Sequence, residues 1–174
     1  MNHGKDATSE AQALQAVEGH HADMLKELNV LVGLLTAAVQ AGDATAEEKA
    51  QTALLDWCDS VLIPHALAEE GPLYGGPRAT PEGKLLVEGI LAEHRVIVDF
   101  VEELRTASGL SAAVAGGAVR RIFALHLDKE NRLLMPFITG SPELSLAESV
   151  KGLHEMTGES AHHHRGHAQS SSGA

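Results

Sequence analysis

The chain has 174 residues, with 13 Lys and Arg against 24 Asp and Glu, for a formal net charge of -11. That is enough chain for one core, and too acidic to hold nucleic acid or an anionic membrane by unspecific charge. Hydrophobic residues make up 44% of the composition, yet no run of 18 apolar residues occurs, which excludes a wholly disordered chain and a membrane protein.

Cys58 is the only cysteine, so an intrachain disulfide and cysteine-based zinc or iron–sulfur sites are ruled out. Met1 to Asp6 carries no apolar segment of signal type, and the expected compartment is a reducing cytoplasm. The anomaly is histidine: 11 residues, in a chain with 3% aromatics.

Turn and cap signals divide the chain into five helices. Ser9-Glu10-Ala11-Gln12 reads as a capping box opening the first, and Gly42 as its stop. Thr45-Ala46-Glu47-Glu48 reads as a second capping box, with Gly71-Pro72 ending that helix and Gly75-Gly76-Pro77 as loop. Thr80-Pro81 opens the third helix, Gly109 closes it, and Ser111 caps the fourth. Pro136 and Gly140-Ser141-Pro142 end the fourth, and a short fifth helix is expected from about Glu143 to Thr157. The domain reading is a bundle over 8–158 and a disordered His- and Ser-rich tail over 159–174.

The apolar spacing predicts an all-α fold, an antiparallel up-down four-helix bundle with the short fifth helix appended. Leu14, Val17, His21, Met24, Leu28, Leu31 and Leu35 step by three or four along the first helix, and Leu54, Cys58, Val61, His65 and Glu69 along the second. Val87, Ile90, His94, Ile97, Val101 and Leu104 do so along the third, and Val119, Ile122, His126, Glu130, Leu133 and Phe137 along the fourth. Cys58 and Trp57 are read as packing residues.

One histidine interrupts each stripe: His21, His65, His94 and His126. Glu69 and Glu130 each follow a histidine by four residues, so each pair shares a helix face. Burying such groups costs several kcal/mol each unless they are paired or hold a metal. Four imidazoles and two carboxylates suit iron, manganese or zinc, and bundle cores host dinuclear carboxylate sites. His21 is preferred to His20 because it continues the stripe from Leu14 and Val17 to Met24 and Leu28. Glu70 and Glu93 adjoin these positions and are read as solvated or as outer partners of the ligands.

The pattern resembles the haemerythrin-like (HHE cation-binding) domains over about residues 14–157. The likeness rests on His21 in Gly19-His20-His21-Ala22-Asp23-Met24, on His65 to Glu69, on Ala92-Glu93-His94-Arg95, and on His126 to Glu130. It implies a four-helix bundle with a non-haem centre of two iron ions, oxo- or hydroxo-bridged when oxidised. It also implies reversible oxygen binding, oxygen or redox sensing, or handling of peroxide, nitric oxide or iron. Oxygen-carrying members have a fifth histidine four residues after the third-helix ligand, where this chain has Val98. Water or another side chain must fill that place, and Tyr74, just past the second helix, is a candidate metal ligand for it.

Two functional readings stay open. One is a binder or sensor of O2, H2O2 or NO in an oxidative or nitrosative stress response; the other is a di-iron enzyme decomposing hydrogen peroxide. Iron handling or iron–sulfur repair is a third. The expected partner is a small molecule, with neither nucleic acid nor membrane, and the sequence names no protein partner.

Overall fold

The computed structural model describes residues 5–153. The expected end of the fifth helix, the tail over 159–174 and its histidines lie outside the described residues. Every regular element among the described residues is helical. Helix α1 spans Ala7–Ala41; α2 (Ala44–Trp57) continues through a π-helical turn, Cys58–Leu62, into α3 (Ile63–Glu69). A four-residue helix α4 (Gly75–Arg78) precedes α5 (Pro81–Thr106). Helix α6 (Gly109–Lys129) passes through a second π turn, Glu130–Leu134, into α7 (Met135–Gly140), and a terminal helix α8 covers 146–153.

Several caps differ from the sequence expectation. Asp6 and Asp43, not Ser9 and Thr45, cap α1 and α2; each carboxylate accepts from backbone N–H groups of its first turn. The two glutamates of the expected boxes reach elsewhere: Glu47 accepts from Gly109 N, and Glu10 from Ser145 and the first N–H groups of α8. Gly109 opens α6 at φ 56 instead of closing α5, and Gly75-Gly76-Pro77 is helical. Gly42 at φ 65 and the Thr80-Pro81 start are as expected. Pro136 does not end its helix, because the π turn ahead of it absorbs the break.

Helix α1 packs on α2 and α6, and α5 packs on α6, α4 and α2. The interior falls into two apolar clusters. One gathers Met24 to Leu35, Leu54 to Leu62, Ile97 to Leu104 and Ala112 to Leu127; the other gathers Ala13, Val17, Leu73, Tyr74, Val87 to Leu91, Leu134 to Ile138 and Leu146. Along α1 and α5 the chain passes from the second cluster to the first, and along α2–α3 and α6–α7 it passes back.

The π turns shift the buried face by one residue. The expected stripe continued to Leu133 and Phe137, but Leu133 is 53% exposed while Leu134 and Ile138 are buried. The wider π turn holds an extra residue, so every later position steps round the axis. The helix over Gly109–Gly140 has a stretch with mean hydropathy 1.2, enough by length and composition to cross a membrane, yet it carries buried His126 and Glu130.

Candidate metal centre

The six polar residues form one layer between the apolar clusters. On each helix the site residues fall where the chain leaves one cluster for the other: His21 between Val17 and Met24, His94 between Ile90 and Ile97. His65 and Glu69 lie between Leu62 and Leu73, and His126 and Glu130 lie between Phe123 and Leu134. His21, Glu69, His94, His126 and Glu130 are all buried; His65 is slightly more open, with a side chain 13% exposed. His20 is exposed, whereas His21 is buried.

The inward atoms converge in two groups that share Glu69. Ligand atoms of His21, His65 and Glu69 lie within 4.8 Å of one another, and so do those of Glu69, His94 and His126. Glu69 Oε1 is 3.1 Å from His65 Nε2 and 3.5 Å from His21 Nε2. His94 Nε2 and His126 Nε2 are 3.4 Å apart. Glu130 Oε2 lies between the groups, 3.6 Å from His21 Nε2 and 3.5 Å from His126 Nε2.

Tyr74, buried, reaches the same space. Its hydroxyl donates to Glu130 Oε1 at 2.5 Å and faces Glu69 Oε2 at 3.2 Å and His94 Nε2 at 3.3 Å. Burial and the two carboxylates push its phenol far above the ordinary range, so it keeps its proton in the metal-free centre. Val98 lies outside this cluster, 40% exposed, in a groove beside His94 and Glu70.

The outer nitrogens of two imidazoles meet acceptors. His21 Nδ1 is 2.9 Å from Asn131 Oδ1, and His94 Nδ1 is 3.1 Å from Glu70 Oε1. A carbonyl or carboxylate oxygen only accepts, so each Nδ1 carries a hydrogen and the ring turns its Nε2 inward. His126 Nδ1 faces Glu93 Oε2 at 3.4 Å without a hydrogen bond, and Glu93 pairs with Lys129. Asn131 and Lys129 were not legible as site residues: each sits beside Glu130 with no periodic signal to mark it.

The two central carboxyls titrate apart. Burial is the largest influence on Glu69 and would raise it, but the imidazoles of His65 and His21 outweigh it and hold Glu69 well below the usual range. Glu130 goes the other way, raised by burial and by the nearby Glu69 charge. Burial and the proximity of His126 draw His94 below its usual value against the pull of Glu70.

The residues fit a metal on the structure's own terms. His65 Nε2 and Glu130 Oε2 are buried with no hydrogen-bond partner, and both face the centre. Leaving such atoms unpaired costs about 1–3 kcal/mol each, which metal coordination would offset. Nitrogen and carboxylate donors without thiolate suit iron, manganese or zinc.

A cavity of about 400 Å³ opens onto His21, His65 and Glu69, with Val150 and Leu153 of α8 forming part of its wall. A second, of about 340 Å³, lies against the outer side of His94 and includes Glu70, Arg95 and Asp99.

No curated protein and no solved structure is similar to the chain at a significant level. The family model described as the hemerythrin HHE cation binding domain matches residues 12–138, a span that contains all six polar residues of the layer. The chain therefore belongs to the hemerythrin HHE cation-binding domain family.

Proposed function

We propose that this chain is a non-haem di-iron protein that binds or reacts with a small oxidant or gas: oxygen, hydrogen peroxide or nitric oxide. The observation that carries this reading is the buried layer of four imidazoles and two carboxylates whose inward atoms face one another while His65 Nε2 and Glu130 Oε2 make no hydrogen bond. His21 and His65 would hold one ion and His94 and His126 the other, with Glu69 and Glu130 placed to serve both. Two such ions, when bound, supply one-electron redox steps and a replaceable coordination position.

The alternating passage of the four long helical stretches between the clusters supports an antiparallel up-down bundle over 8–158. Within it the chain's own groups have separate tasks. Asn131 and Glu70 fix the ring orientation and tautomer of His21 and His94. Tyr74 holds a proton at its hydroxyl between the two carboxylates, or gives it up to become the ligand that stands in for the fifth histidine. The apolar clusters above and below limit water. A net charge of -11 supports a small-molecule partner over nucleic acid or an anionic membrane, with the cytoplasm as the working compartment.

The Tyr74 hydroxyl favours a second reading, an enzyme that decomposes hydrogen peroxide, since a phenolate ligand stabilises the ferric state. Iron handling is the weaker alternative. Elemental analysis of the full chain, and of a variant ending at Gly158, tests the centre itself. About two irons per chain, lost in His65→Ala and in Glu130→Ala, is the expected result. A folded protein that takes up no metal after anaerobic iron loading would overturn it. Stopped-flow mixing then separates the readings: a reversible oxygen adduct marks a binder, and rapid peroxide turnover marks the enzyme.

A further inference from the structure

The two cavities beside the layer differ in character and in what they reach. The one against His94 is bordered by Glu70, Arg95 and Asp99, and His94 is the only residue of the six-residue layer in its lining. The other has walls of Ala16, Val61, Pro64 and Val150, and its floor is His21, His65 and Glu69. Its volume of about 400 Å³ is far more than a diatomic gas or peroxide needs. A dry pocket of about 150 Å³ accommodates one benzene molecule. Mostly apolar walls ending on a few convergent polar groups are the usual form of a small-molecule site.

We propose that this cavity binds an apolar organic molecule about the size of two fused rings, carrying one oxygen-bearing end that faces His65 and Glu69. The apolar body meets the walls. The oxygen end meets the polar part of the lining, made by His20, His65 and Glu69. His20 stands at the side, its ring 5.2 Å from that of His65, and it bounds the cavity where the polar end would lie. Helix α8 supplies the outer wall through Val150, and Glu10 anchors the start of that helix. The approach of the oxygen end to a metal rests on the proposed function; occupancy of the apolar walls does not.

The test uses the full chain and 2-naphthol, an intrinsically fluorescent probe of this size and polarity. Binding is measured by fluorescence titration on iron-loaded protein and on chelator-stripped protein, with metal content determined on the same samples. A dissociation constant in the micromolar range is expected. It should weaken at least about tenfold in Ala16→Phe and in Val150→Phe, which add a ring to the lining from α1 and from α8. Ala16 is exposed on α1, so an unchanged melting temperature there shows that the fold is intact.

No saturable binding to either form would overturn the proposal, and so would binding that both variants leave unchanged. Blocked binding in a protein that holds no metal would uphold the cavity and sink the di-iron reading. Two irons without probe binding would do the reverse.

Discussion

Replacing Tyr74 with Phe removes one oxygen atom from the middle of the layer and leaves the ring in place. In metal-stripped protein that oxygen is the hydrogen-bond donor to Glu130 Oε1, whose partner Oε2 already has none. The substitution would leave a buried carboxyl without a hydrogen-bond donor. Losing such a bond and stranding its acceptor costs about 1.5–3 kcal/mol. At about 2–4 °C per kcal/mol for a chain of this size, the melting temperature should fall by about 3–12 °C. Differential scanning calorimetry on the chelator-treated variant reads this directly. A melting temperature within about 1 °C of the parent would refute the hydrogen bond and the placement of Tyr74. Ferric-loaded protein gives a second reading. If the phenolate is a ligand, its charge-transfer band disappears in Tyr74→Phe; an unchanged spectrum with both irons retained would rule out ligation.

Other perturbations test the frame around the site. Burial tends to raise Glu10, but Ser145 and the N–H groups of Leu146 and Ala147 outweigh it and hold its carboxyl below the usual range. Its contribution is therefore full above the unfolded value of about 4.3 and is lost as pH falls through the lower folded value. Hydrogen exchange over 146–153 should accelerate below about pH 4 in the parent, whereas Glu10→Gln should exchange fast at neutral pH with no acid step of its own. Leu134→Ala should cost about 2–5 kcal/mol and Leu133→Ala less than about 0.5 in denaturant melts; equal costs would contradict the phase shift at the second π turn. Cys58 is fully buried, and burial pushes its thiol up to about 12, so a disulfide reagent at pH 8 should label it only after unfolding.

The third helix was the most legible. Val87, Ile90, His94, Ile97, Val101 and Leu104 are all buried as their spacing implies, because α5 is an unbroken α-helix with a proline start. The inward turn of His21 was readable for the same reason. The fourth stripe slipped after Glu130, since a π turn leaves no residue signature and changes the period only locally. The capping boxes at Ser9 and Thr45 failed because Asp6 and Asp43, three and two residues upstream, start each helix earlier and accept from Thr8, Ser9 and Ala46 N. Tyr74 could be suspected from position alone, but its meeting with Glu130 spans 56 residues and follows from how α4 and its flanks fold back. Glu10 gave no hint of its role, because its partners lie about 135 residues away.

The layer also divides by chain distance, and this bears on the order of assembly. One imidazole pair, His21 and His65, comes from the first helical hairpin; the other, His94 and His126, comes from the second, with only 32 residues between its members. Each hairpin can therefore preform half of the donor set from local contacts, the kind that close fastest. The contacts that join the halves are long: His21 to Asn131 spans 110 residues, and Tyr74 to Glu130 crosses from one hairpin to the other. Glu69 lies in the first half and Glu130 in the second, so the two carboxylates share one space only once the halves join. Substitutions at Asn131 or Tyr74 should slow that last step while leaving each hairpin's own formation unchanged.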